Sequence, residues 1–317
     1  MAAEHVGYGK LILFGEHIVV YRHPALVAAV AARTTCEVKK VDGTGKWTVI
    51  DDRPAVPEYK VTKKAEQDES TQLVLDYLKI PLDEASIEIR LGGDLTCTSG
   101  IGASAANCVA LARALNELYS LGLTEEGINA AGYEGEKGYH GTPSGIDNTA
   151  STYGGVLSYQ RTEGDPIFAP VDVAKGGVEI VYASTGMTAS TSEVVGDVRK
   201  KKEADEAWFA DLVKRYTAVY EAGKTALAAG DWKALGEQLD ANHAICQEMT
   251  VSCKELDELV DTARAAGAIG AKMSGTGRGG LMVALTPGGE TQDAVAKALE
   301  AKAPFVWKTK LFGAGDA

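Results

Sequence analysis

A turn of small residues, TSGIGASAA at 98–106, opens a stretch in which Cys108, Leu111, Ala112, Leu115, Leu118 and Tyr119 recur at helical spacing. A helix that begins in such a turn presents unpaired N–H groups and the positive end of its dipole, and small side chains let an anion reach the backbone. These are the properties of a phosphate seat. Taken alone, the turn also suits a plain strand-to-helix connection. It is not a Walker A loop, because no G-K-[ST] follows, and it lacks the G-x-G-x-x-G spacing of dinucleotide folds.

Three further segments supply the rest of a reaction. GYGKLILFGEH at 7–17 places Lys10 and the Glu16–His17 pair around a short strand, and EGEKGYHGTPSGIDN at 134–148 sets Glu136 and Asp147 on either side of a proline-glycine turn. KMSGTGRGG at 272–280 is a second glycine-rich loop. Phosphoryl transfer needs a phosphate cradle, a divalent cation, a positive group for developing charge and a carboxylate facing the acceptor hydroxyl. Each role has a candidate. Singly, Lys10 reads equally as a solvated strand-end lysine, His17 as a satisfied loop histidine and Glu136 as a surface acid; their joint occurrence in order favours chemistry. His140 is assigned to the turn.

In order along the chain, GYGKLILFGEHIVVY, TSGIGASAA, HGTPSGIDN and KMSGTGRGG resemble the signatures of the GHMP family of small-molecule kinases, and within it the mevalonate kinases. The resemblance spans essentially the whole chain. It implies an α+β GHMP kinase fold: a ribosomal protein S5 domain 2-like N-terminal domain at 1–170 and a ferredoxin-like C-terminal domain at 171–317, with the active site between them. It also implies Asp147 as the catalytic carboxylate with Lys10 beside it, and Ser104 and Glu136 as Mg²⁺ ligands. Thr98, Ser99, Gly100, Ile101, Gly102, Ala103 and Ser104 would wrap the phosphates of ATP, and Glu16 and His17 would meet the acceptor, mevalonate. Departures are confined to the loops. The usual A-P-G-K is here Gly7-Tyr8-Gly9-Lys10, Ala103 replaces a usual serine, Thr96 stands where a proline is common, and Arg278 occupies a position commonly glycine. A kinase for another hydroxy acid or a sugar, or a non-catalytic ligand sensor on the same fold, are the rival readings.

The elements that must position these residues are read from hydrophobic period. KLILF, ALVAAVAA, CEVKKV, KWTVID and SIEIRL read as strands, and 70–79 as a helix stopped by Pro81. Helical stripes at Trp208, Leu212, Tyr216 and Val219, then at Leu256, Leu259, Val260 and Ala263, alternate with the strands VEIVYAS, GAKMSG, GLMVAL and FVWKTKLF. Ser252 and Glu255 have capping-box spacing, with Gly267 as the stop. The domain boundary is placed at 165–176. Lys200 to Lys202 read as a solvated helix face, although Ser190, Thr191 and Arg199 stand where an anionic carboxylate would be met.

Composition bounds the partners. The 317 residues carry a formal net charge of −12, which disfavours nucleic acid and anionic membrane surfaces. No signal peptide or membrane-spanning run is read. Five widely spaced cysteines without a C-x-x-C pair suggest a reducing, cytoplasmic setting. A homodimer is compatible with the sequence, which does not set the oligomeric state.

Overall fold

The computed structural model describes residues 5–98, 100–187 and 189–313. Two compact units emerge: one holds the chain up to Lys10 together with Ala31–Gly154, the other Leu11–Val30 and everything from Gly155 onward.

In the first unit, the start of β1 (Val6–Phe14) and the later part of β2 (Ala25–Val41) are followed by β3 (Trp47–Asp51), a short α1 (Tyr59–Thr62), α2 (Lys64–Tyr77) and β4 (Ser86–Gly93). Then come α3 (Ala103–Tyr119), α4 (Glu125–His140) and α5 (Ile146–Tyr153). Strand β4 runs antiparallel to β2, with Thr34 opposite Gly93, and parallel to β3. The alternation in SIEIRL turns Ile87, Ile89 and Leu91 inward against Val74 and Leu75 of α2 and Leu111 and Leu115 of α3. Helix α4 comes unusually close to its neighbours because its glycines lack side chains. A Cβ on Gly135 would lie 2.8 Å from Cys108 Sγ, and one on Gly138 2.4 Å from the Ser70 backbone nitrogen. That close approach carries Glu136 in beside α3.

The second unit contains a 3-10 turn (Ile18–Tyr21), β5 (Val156–Gln160), β6 (Ile167–Val171) and β7 (Val178–Ser184). It continues with α6 (Thr191–Ala204), α7 (Glu206–Ala229), α8 (Trp232–Glu248), α9 (Lys254–Ala265), β8 (Gly270–Ser274), β9 (Leu281–Leu285), α10 (Gly289–Glu300) and β10 (Phe305–Leu311). Strands β10, β7, β9 and β8, in that spatial order, form an antiparallel sheet, and α8, α9 and α10 pack against it. The fold is α+β, as expected.

Several local expectations are corrected. ALVAAVAA and CEVKKV are not two strands but one, β2, because Arg33 to Thr35 keep extended geometry through the polar interval. The helix expected at 70–79 starts six residues earlier, at Lys64. Ser252 does not cap α9: Cys253 holds the N-cap position without a side-chain hydrogen bond, and the Ser252 hydroxyl donates instead to Asp257. Lys200 is solvated, but Lys201 lies 4.6 Å from the centre of the Trp208 ring, so the lysine run is not a uniformly solvated face. Among the described residues no helix is long and apolar enough to cross a membrane.

Candidate active site

The first unit gathers Lys10, the described residues of the 98–104 turn, Glu136 and Asp147. Lys10 Nζ lies 2.8 Å from Asp147 Oδ1 and donates to the carbonyl of Gly100 at 3.1 Å. Asp147 sits in the first turn of α5, where the helix dipole favours a carboxylate. The lysine is buried and the aspartate about a quarter exposed, so the pair is held in place yet its carboxylate remains accessible.

The turn 98–104 is tied to this pair. The Lys10 N–H donates to the Ile101 carbonyl at 2.7 Å, and the Ile101 side chain is fully buried, so Ile101 anchors the turn. Gly100 and Gly102 have φ of 93° and 77°, conformations that glycine adopts without strain. Gly102 is the N-cap of α3 and, having no side chain, caps none of the first-turn N–H groups itself. Thr98, Ala103 and Ser104 are buried at the same turn; Ser99 lies outside the described residues.

Glu136 of α4 is buried near the Ser104 hydroxyl. Burial and the negative charge of Asp147 push its pKa up to about 8, against the pull of Ser104 and Lys10. Its Oε1 is buried without a partner among the described residues. An unpartnered carboxylate oxygen beside a second carboxylate and a hydroxyl is a donor set suited to a hard divalent cation. His140 is not in the turn: it ends α4, its Nε2 3.7 Å from Glu136 Oε2. Burial lowers its pKa, opposed by Asp147.

Glu16 and His17 belong to the second unit. Glu16 is fully buried against Lys272 of β8, and Lys272 Nζ donates to it. Burial pushes the Glu16 carboxyl up, opposed by the lysine. Lys272 carries no local signal in the sequence beyond its place at the head of KMSGTGRGG, because its partner Glu16 lies 256 positions away along the chain. His17 has φ of 60° and its Nε2 lies 2.7 Å from the Thr276 carbonyl. A carbonyl only accepts, so Nε2 carries the hydrogen and Nδ1 is left as an acceptor, buried without a partner among the described residues. Burial lowers the His17 pKa and keeps the ring neutral. Arg278 pairs with Asp197 at 2.7 Å and donates to the Thr250 carbonyl. Thr191 shares a hydrogen bond with Thr276 at 2.8 Å.

Comparison with known proteins bears on this arrangement. Residues 69–155 match the model for the GHMP kinases N terminal domain, and residues 224–304 that for GHMP kinases C terminal. Mevalonate kinase of Pyrococcus horikoshii is 33% identical, over 96% of this chain and 94% of that protein. The chain belongs to the GHMP kinase family. As a GHMP kinase it is an ATP-dependent phosphotransferase, and TSGIGASAA lies inside its matched N-terminal region. A mevalonate kinase of Thermococcus gammatolerans is 31% identical, over 94% of this chain and 93% of that one. Among solved structures, L. major mevalonate kinase in complex with R-mevalonate superposes with a TM-score of 0.95 at 44% identity, covering 99% of this GHMP kinase and 97% of that chain.

Proposed function

We propose that the chain transfers the γ-phosphoryl group of ATP to the 5-hydroxyl of mevalonate, giving mevalonate 5-phosphate and ADP for isoprenoid biosynthesis. The observation that carries this reading is the likeness, at 44% identity over 99% of the chain, to a kinase solved with R-mevalonate. The Lys10–Asp147 pair is consistent with it.

In this account Asp147 accepts a hydrogen bond from the 5-hydroxyl and aims its oxygen at the γ-phosphorus. As the new O–P bond forms and the bond to the β-phosphate oxygen breaks, the hydroxyl proton passes to the carboxylate. Lys10 holds the Asp147 carboxylate in place through their ion pair and offsets charge on the transferring group. The turn at 98–104 offers its backbone N–H groups to the ATP phosphates, with Ile101 and Gly102 holding its shape. His17 offers Nδ1 to a hydroxyl of the acceptor, while Glu16, paired with Lys272, steadies the loop that carries it.

Ser104 and Glu136 would hold Mg²⁺, whose bound charge would neutralise the phosphate oxygens. Among the described residues no cluster of three or more His, Cys, Asp or Glu suits a metal, so phosphate oxygens and water would complete the ion's shell. The reaction is assigned to the cytoplasm, in keeping with five unpaired cysteines.

The test is ADP release by the purified chain with Mg-ATP and, separately, mevalonate, galactose, homoserine and mevalonate 5-phosphate, with product mass locating the phosphate. Turnover on mevalonate alone is expected. Turnover on another member of the panel would discard mevalonate, and ATP binding with silence across the panel would favour a ligand sensor.

A further inference from the structure

One short segment grips both ends of the phosphate turn. Immediately before the turn, the Cys97 N–H donates to the Pro54 carbonyl at 2.8 Å and the Val56 N–H donates to the Cys97 carbonyl at 3.1 Å. Immediately after it, Arg53 Nη1 donates to the carbonyl of Ala103, the first residue of α3, at 3.2 Å. Arg53 is itself fixed. Its Nε and Nη2 donate to the two oxygens of Asp51 at 2.9 and 2.6 Å, a two-point fork that sets the plane of the guanidinium.

Asp51 is braced in turn by Gln67 Nε2 at 2.9 Å and by Lys60, whose Nζ donates to the Asp51 carbonyl at 2.7 Å. Burial opposes its ionisation, yet hydrogen bonds and charge from Arg53 hold the Asp51 carboxyl at about 2. Arg53 is only 4% exposed, too enclosed for a phosphate to reach it. Its charge therefore does not serve as a ligand. What it touches is the backbone on which the phosphate-binding N–H groups are strung.

We infer that Arg53, oriented by Asp51, is a positioning residue that sets the phosphate turn for ATP. A turn tethered at Cys97, Ile101 and Ala103 holds its N–H groups converged before the nucleotide arrives, and affinity then does not have to supply the ordering. With the Ala103 tether gone, the turn keeps its strand-side hold but loses its helix-side one. The loss falls on nucleotide binding. This inference rests on the reading of 98–104 as the ATP phosphate seat.

The test pairs Arg53→Met with Asp51→Asn, so that no carboxylate is left buried without its cation. ATP binding is titrated without acceptor, and KM is measured separately for ATP and for mevalonate. The double variant is expected to melt cooperatively, to bind ATP about tenfold or more weakly, and to keep its acceptor KM within about twofold. A folded double variant that binds ATP as the wild type does, or that weakens both substrates alike, overturns the role. Should the double variant not fold, Arg53→Lys decides by the same readings, since an ammonium cannot fork to Asp51 and reach Ala103 together. Absence of ATP binding by the wild-type chain would instead sink the reading of the turn itself.

Discussion

Lys10 occupies the space that a side chain on Gly102 would need. A Cβ there would stand 2.9 Å from Lys10 Cγ, so the N-cap of α3 and the lysine that pairs with Asp147 fit only because residue 102 is glycine. The phosphate turn and the charged pair are thus one packed unit, in which moving either part displaces the other.

Gly102→Ala tests that coupling. The substitution meets a φ of 77° as well as the contact with Lys10, so a stability cost of about 1 kcal/mol or more is expected. A displacement of Lys10 by about 1 Å should lower kcat/KM by roughly 10²-fold. Urea unfolding and steady-state rates measure the two effects. A stable variant with unchanged kcat/KM would show that Lys10 is not held by the turn.

The pKa of Glu136 sets a pH dependence in the metal-free chain. The folded state holds this proton more tightly than the unfolded state does, because its pKa is raised from an ordinary 4.5 to about 8. The associated stabilisation is complete below the unfolded value and is lost as pH rises through about 8. Melting temperatures of wild type should therefore fall relative to Glu136→Gln across that range, and Mg-ATP should reduce the fall by binding the ionised form. Parallel curves for the two proteins would count against a buried, proton-binding Glu136.

Lys272 and Glu16 are each fully enclosed, so removing one strands the other. Lys272→Met should cost about 3–5 kcal/mol in unfolding free energy, and adding Glu16→Gln should recover much of it. Denaturant titration of the single and double variants measures the difference. A single variant within experimental error of wild type would mean the pair does not hold the loop before His17.

Contiguity decides what can be read from the sequence. Lys10, Gly100, Gly102, Ser104 and Asp147 each lie in a run whose glycines, hydroxyls and charges have a local reason to be together. Arg53 does not: DDRPAVPEY looks like an ordinary polar connection, and its contact with Ala103 is made 50 residues away. The Glu16–Lys272 pair spans 256 positions and is equally silent. Helix α4 was hidden by its composition, since Gly127, Gly132, Gly135 and Gly138 lower helix propensity. Those glycines are spent on close packing: Cβ atoms on Gly132 and Gly135 would lie 2.9 and 2.7 Å from valine methyls of α3 and α2. Tertiary contact overrides the local preference, and Glu136 reaches the site as a result.

Steady-state turnover of Asp147→Asn with mevalonate, alongside ATP binding titrated on the same samples, tests phosphoryl transfer at the Lys10–Asp147 pair most directly. The expected result is ATP affinity within about twofold of wild type and turnover lower by roughly 10²–10⁴-fold. A folded Asp147→Asn chain that phosphorylates mevalonate at close to the wild-type rate would contradict the assignment.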